Sequence, residues 1–214
     1  YTDTAARVWL KTGVTASAAT YPGAYSVEMG YTGQSFNLTE GIDDITFSGT
    51  HYWVVAGNVA YQYDTDFNLI SSFSTGYSLS RGIGHDGTNL WIAEASGDTV
   101  REFTEAGVYT GNYFNVGAQQ TSPYGLVWDG SHFWVVGNAS GNVHQYDPAT
   151  GYTGTSFSGP GGNISIAWDG TFFYVLSNSN DDVYKYSAAG VYQDTIIDAT
   201  NQEDNSTGLA FNGN

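Results

Sequence analysis

The chain contains no cysteine, so neither a disulfide framework nor thiolate chemistry is open to it. Charge is scarce as well: Asp, Glu, Lys and Arg together make up 12% of 214 residues, about half the usual share for a soluble domain. Basic residues are the rarest of these. Arg7, Lys11, Arg81, Arg101 and Lys185 face 21 acids, for a formal net charge of −16. Such a surface repels a polyanionic backbone, so no nucleic-acid partner is expected, and an anionic bilayer is disfavoured on the same ground. No apolar run is long enough for a spanning helix, and no membrane insertion is expected. No segment shows useful helical periodicity. No signal peptide is recognisable, and the chain opens on Tyr1 rather than Met, so it is read as processed or as a segment of something larger.

What is present is aromatic, apolar and repeated. Aromatics reach 16% and hydrophobic residues 41%, enough for a substantial core and too many for a disordered chain. The stretch GIGHDGTNLWIAEASGDTVREF, residues 82–103, is echoed by GLVWDGSHFWVVGNASGNVHQY, residues 125–146. Aligned on the turn dipeptide, the unit recurs at Ser48-Gly49, Asp86-Gly87, Asp129-Gly130, Asp169-Gly170 and Asn212-Gly213, with glycines 38 to 43 residues apart. Soon after each of the first four glycines stands a large aromatic: Trp53, Trp91, Trp134 or Tyr174. Before the turns, Ile45/Phe47, Ile83/His85, Leu126/Trp128, Ile166/Trp168 and Leu209/Phe211 alternate with smaller residues. Asp-Gly and Asn-Gly supply the positive φ that two-residue hairpins need. A period near 40 residues with several short strands is that of a propeller blade.

The expected fold is all-β: a five-bladed β-propeller of four-stranded antiparallel blades in a single domain, 1–214. Four blades are placed at about 42–73, 82–114, 125–157 and 165–197. The fifth is assembled from residues 1–36 plus 208–214, with the C-terminal strand joining the N-terminal blade to close the ring. Closure of this kind removes exposed edges. If Leu209–Phe211 instead completed a neighbouring chain's blade, head-to-tail self-assembly would follow.

The stretches SRGIGHDGTNLWIAEASGDTVREF and SPYGLVWDGSHFWVVGNASGNVHQYD resemble NHL-type propeller repeats, whose units run Gly-Ile/Leu, Asp, Gly, aromatic-Val-Ala-acid, then Val and an aromatic. The resemblance covers residues 42–197 and implies architecture; NHL-like propellers include scaffolds, RNA binders, lyases and lactonases. In blade number alone the expected fold is similar to tachylectin-type lectins. The Gly/Thr/Ser/Tyr-rich texture resembles propeller modules of bacterial and virion surface proteins.

Chemistry-bearing residues are few. His51, His85, His132 and His144 show no metal-ligand spacing, and His51 and His132 share one repeat position, which reads as structural. No GxSxG elbow or recognisable Ser/His/Asp set occurs, so no catalytic residue is assigned and an enzyme is not expected. Asp86, Asp129 and Asp169 read as turn formers beside Gly87, Gly130 and Gly170, as does Asn212 beside Gly213. Asp43, Asp44, Asp181 and Asp182 are weak Ca²⁺ candidates, because clustered oxygen donors in loops suit that ion; otherwise no cofactor is expected. Asn-X-Ser/Thr sequons at Asn37, Asn138, Asn163 and Asn205 are about as many as composition alone yields.

The loops after second strands and between blades are rich in Asn, Ser, Gly and Tyr, groups that suit sugar hydroxyls and ring stacking. The candidate ligand-binding residues are Tyr77, Arg81, Glu94, Tyr124, Asn138, Asn142 and Asn178. The functional expectation is a non-enzymatic structural or recognition module of an extracellular, cell-surface or virion assembly, contacting protein neighbours or glycans. The alternatives are a lectin-like glycan binder and a propeller enzyme of lyase or lactonase type.

Overall fold

A computed structural model describes residues 42–137, 141–180, 182–198 and 207–212, together with four short strands nearer the N-terminus. Those four are β1 (Ala6–Trp9), β2 (Val14–Ala16), β3 (Val27–Met29) and β4 (Ser35–Leu38). The first complete blade comprises β5 (Asp44–Phe47), β6 (Tyr52–Ala56), β7 (Val59–Tyr63) and β8 (Leu69–Ser74). The second has β9 (Ser80–His85), β10 (Leu90–Glu94), β11 (Thr99–Phe103) and β12 (Tyr109–Asn115). The third has β13 (Pro123–Trp128), β14 (Phe133–Gly137), β15 (Asn142–Asp147) and β16 (Gly151–Ser158). The fourth has β17 (Asn163–Trp168), β18 (Phe172–Ser177), β19 (Asp182–Ser187) and β20 (Tyr192–Asp198). Each is a sequential antiparallel meander, and β5, β9, β13 and β17 are the innermost strands, touching one another around a common axis. The chain is an all-β propeller.

Apolar residues at alternate strand positions fill the spaces between blades. Trp53, Val55 and Ala60 of blade one meet Ile83, Leu90, Ile92 and Phe103 of blade two. Trp91, Val100 and Phe114 of blade two meet Leu126, Phe133 and Tyr146 of blade three. Trp134, Val143 and Phe157 of blade three meet Ile166, Phe173 and Tyr186 of blade four. A blade is therefore buried on both faces near the axis, while the outermost strands stay largely exposed. Each of these three clusters spans two sheets, so these parts of the core form only where blades meet, while Ile45, Tyr52, Val54, Tyr63 and Phe67 form a cluster on blade one itself.

Among the described residues four blades are complete, rather than the five expected. β1 pairs with β4 and β2 with β3, in two separate two-stranded sheets, and residues 207–212 belong to no sheet. The repeat anchors mark inner segments and their turns, and an inner segment can reach the axis without three further strands hydrogen-bonding beside it. That is what 207–212 does. The Thr207 hydroxyl donates to the Ile42 carbonyl (3.0 Å), and the Leu209 N–H donates to Ser165 Oγ (2.9 Å). Asn212 Nδ2 donates to the Tyr52 hydroxyl (2.9 Å). The segment thus bridges blade four back to blade one. Gly213 lies outside the described residues.

Candidate functional site

The recurring aspartates and aromatics of the sequence meet at the β-hairpins beside the axis. Asp129 Oδ1 accepts the N–H groups of Ser131 and His132 (both 2.8 Å), and its Oδ2 accepts the Trp134 indole N–H (2.6 Å). Asp86 does the same for Thr88, Asn89 and Trp91, and Asp169 for Thr171, Phe172 and the Tyr174 hydroxyl. Gly87, Gly130 and Gly170 follow at φ 98°, 100° and 92°. Each carboxylate closes its turn and anchors the aromatic five positions on. Blade one departs from the pattern: Ser48 stands where the others have Asp, and the indole N–H of fully buried Trp53 has no partner among the described residues.

At the waist of the channel the equivalent positions are Asp44, Gly82, Gly125, Ser165 and Gly208. A Cβ on Gly82 would collide with the Tyr124 carbonyl; on Gly125 it would come within 2.7 Å of the Ser165 Cα, and on Gly208 within 3.1 Å of the Asp44 Cα. Inner strands approach here backbone to backbone, which only glycine or an accommodated side chain allows. Asp44 is the exception, and it reaches across the axis. Its Oδ2 accepts the Ile83 N–H (3.1 Å) and its Oδ1 accepts the Ser165 hydroxyl (2.7 Å). At 1% exposure its carboxyl is pushed well above the usual range by desolvation, against which the hydrogen bonds from Ser165, Ile83 and Ile45 act.

Above the waist, on the loop-bearing face, Arg81 Nη1 pairs with Asp43 Oδ1 (3.0 Å) and its guanidinium lies over the Tyr124 ring (5.1 Å). Asp43 Oδ2 also accepts the Gly57 N–H (2.8 Å). The expected ligand residues Arg81 and Tyr124 are thus brought together and joined to Asp43. Glu94 is buried at the end of β10 and accepts the Ser96 hydroxyl. Tyr77 is half-buried and lies under the Arg101 guanidinium, 4.5 Å away. Asn142 is half-buried on β15 and Asn178 is exposed on the turn after β18; neither joins Arg81 and Tyr124. Asn138 and Asp181 lie outside the described residues.

Of the calcium candidates, Asp43 and Asp44 are held apart by their different partners, and Asp182 accepts Asn180 Nδ2 (2.8 Å) and the Tyr184 hydroxyl (3.2 Å). Among the described residues no group of three or more His, Asp or Glu side chains is placed to hold a metal ion. His144 is buried without a partner for either ring nitrogen among the described residues, and desolvation lowers its pKa. Asn163 is fully buried in β17, so the folded protein cannot carry a glycan there.

The opposite mouth, on the hairpin face, differs in kind. A cavity of about 100 Å³ on the axis is lined by the inner strands of all four blades and by Leu209–Phe211. Five equivalent positions, two residues beyond each aliphatic floor residue, form its collar: Phe47, His85, Trp128, Trp168 and Phe211. Three collar rings rest on an aromatic of the next strand, Phe47 on Tyr52 (4.8 Å), Trp128 on Phe133 (4.8 Å) and Trp168 on Phe173 (4.4 Å). His85 Nδ1 accepts the Gly87 N–H (3.1 Å), and its Nε2 lies 3.2 Å from Glu105 Oε1. The alternation of the sequence contains this collar, but it reads there as packing, because strand periodicity does not tell a blade-facing ring from one that also lines a channel.

No protein-family model matches the chain, and no curated protein matches it in sequence. Among solved structures it is similar to glutaminyl cyclase of Myxococcus xanthus, with TM-score 0.65 and 12% identity over 79% of this chain and 80% of that one. The likeness is one of fold. A nidogen/laminin complex gives TM-score 0.56 and 17% identity over 77% of this chain and 68% of the other. Virginiamycin B lyase from Staphylococcus aureus gives TM-score 0.53 and 15% identity over 77% of this chain and 59% of the lyase. Structures titled as enzymes and one titled as a protein complex are both among these neighbours, and activity has to be argued from this chain's own side chains.

Proposed function

We propose that this protein is a non-enzymatic recognition module, a rigid disc that binds through one mouth of its axial channel. The observation that carries this reading is the division of labour along the axis. On the loop face and at the waist, three acids are paired with neighbouring side chains or main chain: Asp43 with Arg81, Asp44 with Ser165 and Ile83, Glu94 with Ser96. On the hairpin face the collar rings border open space. A preformed concavity that combines aromatic walls with polar groups is a place where small ligands bind. An extracellular, cell-surface or virion setting belongs to the same proposal, supported by the sparse charge and neutral polar loops. Ring closure through 207–212 is supported by that segment's bonds to Ile42 and Ser165.

The test is to screen the purified chain against glycans and small solutes by thermal shift, then recover each stabilising compound after prolonged incubation. Ligands returned chemically unchanged support recognition; a converted ligand would establish an enzyme instead. A lectin-like reading has its own support on the side of blade two, where Arg101 lies over Tyr77 (4.5 Å), Tyr113 (5.5 Å) and Tyr109 (6.0 Å). Tyr113 is 57% and Tyr109 38% exposed, rings available for stacking on a pyranose. Glycan binding lost in Tyr113→Ala and kept in Phe211→Ala would locate the site there.

A further inference from the structure

We infer that the collar on the hairpin face is a binding site for a compact organic cation, a small solute bearing a quaternary ammonium head group. This inference rests on the recognition reading and names its ligand. Its first support is shape. The cavity, about 100 Å³, is smaller than the ~150 Å³ apolar cavity that takes benzene. It admits a head group rather than a drug-sized molecule, whose pockets begin at about 300 Å³. The second support is the wall. Phe47, Trp128, Trp168 and Phe211 ring the space from four directions of the propeller, and aromatic faces attract a cation through their quadrupole, tryptophan most strongly.

Charge is the third support, and it decides between a cation and a neutral ligand of equal size. Asp86, Asp129 and Asp169 directly follow three of the collar residues in sequence, and Glu105 stands beside His85. Their hydrogen bonds are to neutral donors, N–H groups and a phenol, so they close turns without charge neutralisation. Among the described residues no lysine or arginine lines the cavity: Arg81 is paired on the opposite face, Arg101 is stacked on its tyrosines, and Lys185 is held over Phe172. Acids next in sequence to three of the residues around an aromatic-lined cavity favour cations there over anions.

The experiment titrates choline against its uncharged isostere 3,3-dimethylbutan-1-ol, following tryptophan fluorescence of the full chain and the melting temperature. The expected result is saturable binding of choline with affinity about tenfold or more above that of the isostere, weakening as salt is added. Trp168→Leu should abolish the choline response. Phe211→Ala, at a 40% exposed position outside every sheet, should weaken it about tenfold without lowering the melting temperature of the unliganded chain. Equal binding of choline and isostere would show an apolar cup with no preference for charge, overturning the cation while leaving recognition intact. No saturable response to choline would overturn the proposal outright, and the solute and glycan screen would then judge the recognition reading separately.

Discussion

Ser48 shows how far a single side chain departs from its repeat. It occupies the place of Asp86, Asp129 and Asp169, its N–H bonds the His51 carbonyl (2.9 Å) as theirs bond Asn89, His132 and Phe172, and Trp53 follows at the same interval. What is missing is the second carboxylate oxygen that meets the indole. Ser48→Asp should therefore stabilise the protein by about 1 kcal/mol, the typical net worth of a buried hydrogen bond. Asp129→Ala, which strips two turn N–H groups and the Trp134 indole of their acceptor, should cost about 1–3 kcal/mol. Chemical denaturation midpoints of the two variants, read against the parent, check both signs.

Asp44 is the other departure, and its consequence is a pH dependence. Burial raises its folded pKa above the ordinary value of 3.8, so the native state holds a proton that the unfolded chain gives up. Its contribution to stability is full below the unfolded pKa and is lost as pH rises from there through the folded pKa. Asp64 and Asp147 run the other way. Local hydrogen bonds, chiefly from Asn68 and Thr150, lower their pKa values, so their contribution is lost as pH falls through the lowered values. Asn at position 44 offers the donor and acceptor of the protonated acid without titrating. The melting temperature of Asp44→Asn minus that of the parent should grow steadily from pH 4 to pH 7; a constant difference would mean the carboxyl titrates in the native state as it does in the unfolded chain.

At the scale of elements, the blade interfaces carry the stability. Phe114 of β12 lies 5.3 Å from Tyr146, 5.6 Å from Trp91 and 6.0 Å from Phe133 by ring centroids, at 4% exposure. Phe114→Ala should cost about 3–5 kcal/mol, as large-to-small changes in tight cores do. Gly125 tests the opposite failure. A methyl there meets the Ser165 Cα and the Ile164 carbonyl, main chain that cannot rotate aside. Gly125→Ala should push β13 and β17 apart at a cost of about 1–3 kcal/mol, a fall of about 2–4 °C in melting temperature per kcal/mol for a chain of this size. Thermal melts of the two variants separate the cavity from the clash.

For the whole molecule, the ring is only as closed as the 207–212 segment makes it. This short stretch satisfies Ser165, Ile42 and Tyr52, packs Leu209 beside Ile164 and Leu176, and sets Ala210 against the Ile45 cluster. Deleting residues 207–214 should lower the urea midpoint and expose tryptophan to quencher at the channel mouth, while light scattering shows the same mass per particle as the parent. Assembly lost on deletion would mean instead that the segment joins separate chains.

The sequence by itself determined the repeat, its β character and the chemistry of its turns. Asp-Gly with a following aromatic is a local device, complete within six residues, and such devices are legible because their partners are neighbours in the chain. It also placed Arg81 and Tyr124 as notable side chains. It could not show that they meet Asp43, or that Asp44 crosses the axis to Ser165, since 121 residues separate that pair. Only the tertiary structure decided how many inner segments gain a full sheet, because anchors report the inner strand and not its hydrogen-bonded neighbours. Only it, too, turned five separate positions, Phe47 to Phe211, into one collar. A channel is a property of rotation about an axis, and no stretch of chain contains that axis until the blades have closed around it.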